Sequence, residues 1–313
     1  MSSANEIETE VEERLKASGL EVDEIRTLID LALTEDLAGG VDVTTVATVP
    51  ADQCSRLSLV ARSTGVIAGV DIAALVFAAV AEKADAELDL KVVTPDGSQV
   101  VGGDTVLVAT SLTSVLLTAE RTALNFLGHL SGIATVTNEW ATLLAASKTR
   151  VRDTRKTTPG YRALEKYAVR CGGGVNHRMS LSDAALIKDN HVVAAGGVPA
   201  AFAKVRELFP EVDLEIEVDT FDQLDEALEA GADLIMVDNF SIDDMTRAAG
   251  LVADFNQANA RSVKLEASGG LMLAAAPALA TTGVDYVAIG ALTHSAPVLD
   301  IGADLEQIAT LNT

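Results

Sequence analysis

The stretch from Lys148 to Arg178 combines a high density of positive charge with a run of glycines. Its thirty-one residues contain nine lysines and arginines against two acids, a net charge of +7. Arg155 and Lys156 stand at the end of a predicted strand, and Arg178 follows a loop with three glycines at 172–174. Guanidinium and ammonium groups on a fixed backbone bind carboxylates and phosphates through charge-assisted hydrogen bonds. This stretch therefore predicts a binding site for an anion.

Three other bases of the same stretch have helical spacing. Arg162, Lys166 and Arg170 stand at i, i+4 and i+8, which places them along one face of a helix. A solvated helix face is the simpler interpretation of this spacing. We therefore expect these three side chains to be exposed and to take no part in the anion site.

Two acids and two further glycine loops follow predicted strands in the second half of the chain. Glu217 and Asp238 stand at strand ends, and the loops at 267–270 and 288–291 each follow a strand and precede a helical segment. Late barrel strands commonly build a phosphate site from backbone N–H groups, a serine hydroxyl and a helix N-terminus. A ligand with carboxylate and phosphate groups, accompanied by a divalent metal, fits this set. Alternatively, the two acids only cap the helices that follow them.

The elements that must position these residues differ between the two halves of the chain. In the second half, short apolar strands alternate with helices, which is typical of βα units and a parallel sheet. Six or seven such units predict a βα barrel, complete or incomplete, with a doubly wound open sheet as the alternative. The first half mixes strands and helices, and a long apolar helix is predicted over 114–147 with breaks near Gly128 and Gly132. The strands predicted for the second half are 150–155, 185–188, 213–218, 233–237, 263–267 and 285–289.

Composition and charge exclude several classes of protein. The 313 residues are 49% hydrophobic and 22% charged, which is typical of a globular protein. A net charge of −23 argues against a sequence-independent nucleic-acid binder and against docking on an anionic membrane. The longest apolar runs are about half of the roughly 20 residues that a membrane span needs, and the acidic N-terminus does not resemble a signal peptide. Cys54 and Cys171 are predicted to be reduced thiols in a cytoplasmic protein.

Nine segments, in this order and spacing, closely resemble the quinolinate phosphoribosyltransferase family (nicotinate-nucleotide pyrophosphorylase, carboxylating). The resemblance extends from about residue 25 to the C-terminus, and only the acidic extension lies outside it. The segments are DVTT at 42–45, ERTALN at 120–125, DTRKTTPG at 153–160, GGGVNHR at 172–178, IKDNH at 187–191, EIEV at 215–218, MVDN at 236–239, EASGG at 266–270 and IGALTHS at 289–295.

The resemblance implies a reaction and a two-domain α/β architecture. Quinolinate and phosphoribosyl pyrophosphate would give nicotinate mononucleotide, pyrophosphate and carbon dioxide in de novo NAD synthesis. An N-terminal α/β sandwich would span 22–131, after an extension at 1–21 that we expect to be disordered. A C-terminal incomplete α/β barrel of the type II phosphoribosyltransferase kind would span 132–290, and 291–313 would return to the first domain.

The resemblance also implies roles for individual residues, a metal and a partner. Mg²⁺ would bind with the pyrophosphate, with Glu217 and Asp238 as candidate ligands, and Lys156, Glu217 and Asp238 would be the catalytic residues. A homodimer would complete each site with Arg121 of the partner subunit. The substrate-binding set would be Arg121, Thr154, Arg155, Lys156, His177, Arg178, Lys188, Glu217, Asp238, Ser268, Gly269, Gly270, Gly290, Ala291, Leu292 and His294.

Three alternatives remain open at this point. One is a relative with another substrate, such as the related protein of molybdenum-transport operons or a nicotinate phosphoribosyltransferase, and nicotinate would need fewer cations. A barrel aldolase or isomerase acting on a sugar phosphate would use Lys156 or Lys188 as a Schiff-base lysine. A non-catalytic sensor on the same scaffold would bind ligand without releasing pyrophosphate.

Overall fold

The computed structural model of the protein describes residues 4–308, with side chains from Thr9 onward. None of the helices in this range is both long and apolar enough to cross a membrane. The strands are β1 (Cys54–Ala61), β2 (Gly65–Val66), β3 (Asp89–Val92), β4 (Gln99–Val100), β5 (Thr105–Leu112), β6 (Arg150–Arg152), β7 (Ala184–Ile187), β8 (Asp213–Val218), β9 (Leu234–Asp238), β10 (Lys264–Ser268), β11 (Tyr286–Ala288) and β12 (Ile301–Ile308). The helices are α1 (Ala4–Ala17), α2 (Val22–Leu37), α3 (Val43–Thr48), α4 (Val70–Lys83), α5 (Thr113–Leu144), α6 (Arg162–Cys171), α7 (Asp189–Ala195), α8 (Val198–Leu208), α9 (Phe221–Ala230), α10 (Ile242–Asn259), α11 (Ala276–Thr282), preceded by a 3-10 turn, and α12 (Ala291–His294).

The chain forms two compact units, each assembled from separate segments. The first contains the described residues up to Val136, then Ala163–Gly172, and the described residues from Ala296 onward. The second contains Thr137–Arg162 and Gly173–Ser295. The sequence predicted simpler boundaries, with all of 132–290 in the barrel, whereas helix α6 belongs to the first unit.

The first unit is an antiparallel sheet covered by helices. The strand order is β12-β1-β5-β3, and β1 pairs along its whole length with β12, from Cys54 opposite Ile308 to Ala61 opposite Ile301. Helix α4 packs against β3 and β5, and α1 and α2 pack against α4. Leu57 in β1 is fully buried, as is most of α4, which explains the predominantly apolar sequence of that helix.

Helix α5 is continuous, so the breaks predicted near Gly128 and Gly132 are wrong. The two glycines instead permit close packing within the first unit. A Cβ atom on Gly132 would lie 2.0 Å from the carbonyl oxygen of Pro297, and one on Gly128 would lie 2.9 Å from a methyl group of Val298. The glycines therefore make room for the segment that leads into β12.

The N-terminal extension is not disordered in the described range, which corrects the expectation for residues 1–21. Helix α1 buries Val11 and Leu15, and the Arg14 guanidinium pairs with the carboxylate of Asp71 in α4 at 2.6 Å. The sequence predicted a solvated segment because of its many acids. The apolar residues between those acids are what fix the helix against the first unit.

The second unit is a parallel six-stranded sheet with the order β6-β11-β10-β9-β8-β7. In the part of the chain that the structure describes, no ladder joins β6 to β7, so the α/β barrel is incomplete, as predicted. Within β8, Leu214, Ile216 and Val218 are buried on one face, while Glu215 and Glu217 share the other. Charged side chains on a buried parallel sheet mark the inner face as unusual, because such sheets are normally apolar on both faces.

The exposed stripe predicted for α6 is wrong at its centre. Arg170 is exposed, and its guanidinium donates to the carbonyl of Ser18 at 2.6 Å. Lys166, in contrast, is fully buried. The neighbouring Glu165 is also fully buried and lies 2.9 Å from the imidazole of His129. Helical spacing alone could not show that this face packs inside the first unit.

Candidate active site

The predicted site residues of the second unit gather at one edge of the parallel sheet. Because parallel strands end at the same edge, the register that pairs Asp238 with Ser268 and Ile187 with Ile216 brings their C-terminal ends together. Glu217 in β8 and Lys188 directly after β7 lie at this edge. The C-terminal edge is where barrel enzymes carry their functional groups.

Lys188 and Glu217 form an ion pair across two neighbouring strands. The Lys188 ammonium lies 2.5 Å from Glu217 Oε2, with the carboxylate largely buried and the lysine side chain 45% exposed. One amine and one carboxylate are thereby held at fixed positions. The outer side of the lysine remains accessible to a ligand.

Asp238 is oriented by a neighbour to which the sequence assigned no role. Asn239 donates from its amide to Asp238 Oδ2 at 2.7 Å, and its backbone N–H donates to Ser268 O at 3.1 Å. Asn239 has a φ of 57°, and Gly269 packs directly against it with a φ of 102°. A Cβ on Gly269 would lie 2.3 Å from Asn239 Oδ1, so the glycine is required for this contact.

Lys156 lies against the glycine loop at 288–291, which follows β11. The carbonyl of Lys156 accepts from the Thr293 hydroxyl at 2.8 Å, and its N–H donates to Thr154 Oγ1 at 3.0 Å. A Cβ on Gly290 would lie 3.0 Å from Lys156 Cδ and 3.2 Å from His294 Nε2. Lys156, Gly290 and His294 therefore converge, whereas Leu292 is fully buried and offers only its backbone to a ligand.

Two arginine side chains lie close together with part of their hydrogen-bonding capacity unused. The Nε atoms of Arg155 and Arg178 are buried, and neither has a hydrogen-bond partner among the described residues. Arg178 donates from Nη1 to Ala184 O at 2.8 Å, which fixes its direction. Burial lowers the pKa of Arg178, and the positive charge of Arg155 lowers it further. Two partly buried cations that repel each other are suited to binding an anion.

Behind these cations lies a group of four charged or titratable side chains, Arg152, His177, Glu215 and Glu266, which we name the buried charge cluster. Arg152 Nη1 lies 2.5 Å from Glu266 Oε2, and His177 Nε2 lies 2.7 Å from Glu215 Oε2 and 3.7 Å from Glu266 Oε1. Burial raises the pKa of both Glu215 and Glu266 to about 7. The sequence assigned no role to Arg152, Glu215 or Glu266.

His177 faces protein groups with both of its ring nitrogens. Its Nδ1 accepts from the backbone N–H of Arg178 at 2.7 Å, and its Nε2 faces the two glutamates. Because Nδ1 uses its lone pair as an acceptor, the neutral ring carries its proton on Nε2. His177, Glu215 and Glu266 are the one set of three potential metal ligands that lie close together within the described residues. Among the described residues, Oε1 of Glu215 and Oε1 of Glu266 have no hydrogen-bond partner. The Arg152 guanidinium already supplies a positive charge to Glu266 at 2.5 Å, which argues against a metal ion there.

Arg121 lies in the first unit, on α5. Its side chain is 64% exposed, and the nearest carboxylate oxygen with which it is paired, on Glu120, is 4.0 Å away. Within one chain, this guanidinium is presented to solvent.

Comparison with known proteins identifies the family. The sequence profile of the quinolinate phosphoribosyl transferase N-terminal domain matches residues 42–131, and that of the C-terminal domain matches 133–304. The chain belongs to the quinolinate phosphoribosyltransferase family. The resemblance predicted from the nine sequence segments is thereby confirmed.

Individual relatives match over nearly their whole length. The chain is 50% identical over 288 residues to the nicotinate-nucleotide pyrophosphorylase [carboxylating] of Mycobacterium leprae, covering 92% of this chain and 99% of that protein. Among solved structures, the nicotinate-nucleotide pyrophosphorylase from Francisella tularensis superposes with a TM-score of 0.85 at 36% identity, covering 92% of this chain and 98% of that one. A Streptococcus pyogenes structure gives 0.84 at 38% identity, with 92% and 99% covered. These superpositions confirm the fold class that the sequence predicted for this member of the quinolinate phosphoribosyltransferase family.

Proposed function

We propose that this protein transfers the phosphoribosyl group of phosphoribosyl pyrophosphate to quinolinate and releases carbon dioxide, giving nicotinate mononucleotide and pyrophosphate for NAD synthesis. The observation that carries the proposal is the pair of partly buried guanidinium groups of Arg155 and Arg178, each with a buried Nε that has no hydrogen-bond partner among the described residues. The printed names of its relatives, which include carboxylating pyrophosphorylases and decarboxylating quinolinate phosphoribosyltransferases, support it.

Quinolinate carries two adjacent carboxylates that repel each other, so its site needs several cations. Arg155 and Arg178 supply two guanidinium groups, and Lys188 supplies an ammonium that Glu217 holds in place. A site for nicotinate, with one carboxylate, would not need this set. His177 lies behind Arg178, so direct contact between His177 and quinolinate stays a prediction.

The ribose and a metal ion fit the carboxylates of Glu217 and Asp238. Carboxylate oxygens are the ligands that Mg²⁺ prefers, and Asn239 and Lys188 orient the two groups. Bound together with pyrophosphate, Mg²⁺ would neutralise the charge that develops on the leaving group. The carboxylates themselves would bind the ribose hydroxyls and stabilise positive charge at C1′.

The 5′-phosphate fits the two glycine loops. Ser268 offers a hydroxyl, and the loops offer backbone N–H groups beside Lys156 and His294. The proposed contacts are Thr154, Lys156, Ser268, Gly269, Gly270, Gly290, Ala291, Leu292 and His294.

In this arrangement, the protein acts mainly by positioning the reactants. The quinolinate nitrogen attacks C1′ as the bond to pyrophosphate breaks, and the alkylated ring then carries a positive charge. Loss of the C2 carboxylate as carbon dioxide leaves an electron pair beside that positive charge, which stabilises it. The loss of carbon dioxide needs no separate acid–base pair, and the electron pair left at C2 then takes up a proton from solvent water to give nicotinate mononucleotide.

The decisive assay supplies quinolinate, phosphoribosyl pyrophosphate and Mg²⁺, with nicotinate in a parallel reaction. We expect carbon dioxide and pyrophosphate in a one-to-one ratio from quinolinate and no turnover of nicotinate. Turnover of nicotinate would refute the proposed substrate. A borohydride-trapped adduct at Lys156 or Lys188 would instead indicate Schiff-base chemistry, and binding without pyrophosphate release would indicate a sensor.

We further propose a homodimer in which Arg121 completes the site of the partner subunit. Its guanidinium is exposed within one chain. Exposed Val43 and Val46 on α3 offer an apolar surface in the same unit. Cytoplasmic location stays a prediction.

Complementation between two inactive variants tests the shared site. We expect Arg121→Ala and Glu217→Gln each to abolish turnover with the fold intact. Co-expression would form heterodimers with one intact site, which restores about a quarter of the wild-type activity if subunits mix randomly. If Arg121 served its own subunit, no activity would return. Normal quinolinate affinity in Arg121→Ala would also refute the proposed role.

A further inference from the structure

Glu266 lies at the centre of the buried charge cluster, away from the strand ends where the substrates are proposed to bind. It is fully buried in the middle of β10, two residues before Ser268. One of its oxygens, Oε2, lies 2.5 Å from Arg152 Nη1, and the other, Oε1, faces His177 Nε2 at 3.7 Å. The Glu266 carboxylate thus faces both Arg152 and His177, two residues of the positively charged stretch 148–178.

Both of these residues contact the backbone that leads to Arg178. Arg152 donates from Nη2 to the carbonyl of Asn176 at 3.4 Å, and its guanidinium lies 4.6 Å from the centroid of the Tyr286 ring. His177 accepts from the N–H of Arg178 at 2.7 Å. The segment 176–178 follows a run of three glycines, so its own backbone gives it little rigidity.

A second carboxylate, on the residue that directly follows β6, holds the same segment. Asp153 is fully buried, and its two oxygens accept from the His177 N–H at 2.9 Å and from the Asn176 amide at 2.5 Å. Arg152 and Asp153 therefore both hold the segment 176–178 through hydrogen bonds to Asn176 and His177.

We propose that Glu266 is a positioning residue for quinolinate binding, acting through Arg152 and His177 to fix the 176–178 backbone that presents the Arg178 guanidinium. The inference rests on the proposed assignment of Arg178 to quinolinate. Support of this kind around a binding group typically affects its ligand more than the rest of the site. A purely structural role would instead weaken both substrates alike.

Glu266→Gln, assayed at pH 8, tests the inference, since glutamine keeps the shape and one acceptor oxygen but removes the negative charge that Glu266 carries above pH 7. We expect the KM and Kd for quinolinate to rise about 10- to 100-fold, because a small misplacement of a binding group has an effect of this size. The KM for phosphoribosyl pyrophosphate should stay within about twofold of the wild-type value. The matched control is Thr149→Val, which removes a buried hydrogen bond of 2.8 Å to Val284 O at the opposite end of β6. This control should leave both KM values unchanged. Equal changes in both KM values for Glu266→Gln would overturn the inference.

A double-mutant cycle separates this inference from the proposed function. If Glu266 acts through Arg178, Glu266→Gln should have little further effect on quinolinate affinity in an Arg178→Ala background, and additive losses would overturn that route. Unchanged quinolinate affinity in Arg178→Ala alone would refute the assignment of Arg178. If Arg178→Ala loses affinity for quinolinate but folded Glu266→Gln binds quinolinate normally, only the role of Glu266 is refuted.

Asn176→Ala provides a second test that removes no buried charge. It releases one of the two contacts of Asp153 with the loop. We expect the same selective loss of quinolinate affinity, with the circular dichroism spectrum of the wild type. If Glu266→Gln does not fold and Asn176→Ala binds quinolinate normally, the positioning role is refuted.

Discussion

The raised pKa of Glu266 predicts an unusual pH dependence of stability. In the unfolded chain this carboxyl has its ordinary pKa of 4.5, and in the folded protein burial and the nearby Glu215 raise it to about 7. Between these values the folded protein holds a proton that the unfolded chain has released. The stability that this group contributes is therefore complete below pH 4.5 and is lost as the pH rises through 7.

Glu266→Gln should remove this dependence. The shift corresponds to about 2 kcal/mol of unfolding free energy between pH 5.5 and pH 7.5. The variant should therefore gain about 2 kcal/mol relative to the wild type over that interval, or about 4–8 °C in the Tm of the barrel unit.

Differential scanning calorimetry of both proteins at four or five pH values across the interval measures the difference. Carboxyls that do not face Glu266 contribute equally to both proteins and cancel. Glu215 does face it, so the same measurement on Glu215→Gln gives the part of the difference that comes from Glu215. A difference in Tm that stays constant with pH would show that Glu266 is already ionised in the folded protein at pH 5.5.

Two further predictions concern glycines. Gly132→Ala should destabilise the first unit by about 1–3 kcal/mol, because the new Cβ would overlap Pro297 O. The control Gly250→Ala has open space around the new Cβ and should leave Tm unchanged or raise it slightly. Equal Tm values for the two variants would contradict the packing argument. Gly290→Ala should displace Lys156 and raise the KM for phosphoribosyl pyrophosphate about tenfold, with Tm nearly unchanged. Steady-state kinetics measures this change. A larger rise in the KM for quinolinate would be evidence against the proposed phosphate loop.

Much of the barrel could be predicted because its signals are local. The strand predicted at 213–218 is β8 as observed, and the remaining five predicted barrel strands agree with the structure to within a few residues. Short β-branched and leucine-rich segments between helices leave few other assignments. The gathering of Lys188, Glu217, Asp238 and Ser268 at one sheet edge follows from parallel pairing alone.

The support behind the site could not be predicted with the same ease. Glu215 and Glu266 stand within strand motifs. Sequence position alone does not distinguish an acid that binds ligand at a strand end from a buried acid two residues earlier in the same strand. The available signal was alternation: Glu215 shares a face with Glu217, so it had to point into the barrel rather than to solvent. Lys166 was missed because burial of a lysine depends on tertiary packing, and helical spacing carries no information about it.

The pairing of β1 with β12 has a consequence for synthesis of the chain. The central strand of the first unit cannot complete its hydrogen bonds until its partner, about 240 residues later, has left the ribosome. At ordinary elongation rates of about 5–20 residues per second, this is a delay of about 12–50 seconds. During that time one edge of β1 lies open. The intervening barrel can fold first, because within residues 4–308 its strands pair with one another and not with the first sheet. The N-terminal sheet of this protein is therefore expected to be the last part to close, after its strand β12 has been made.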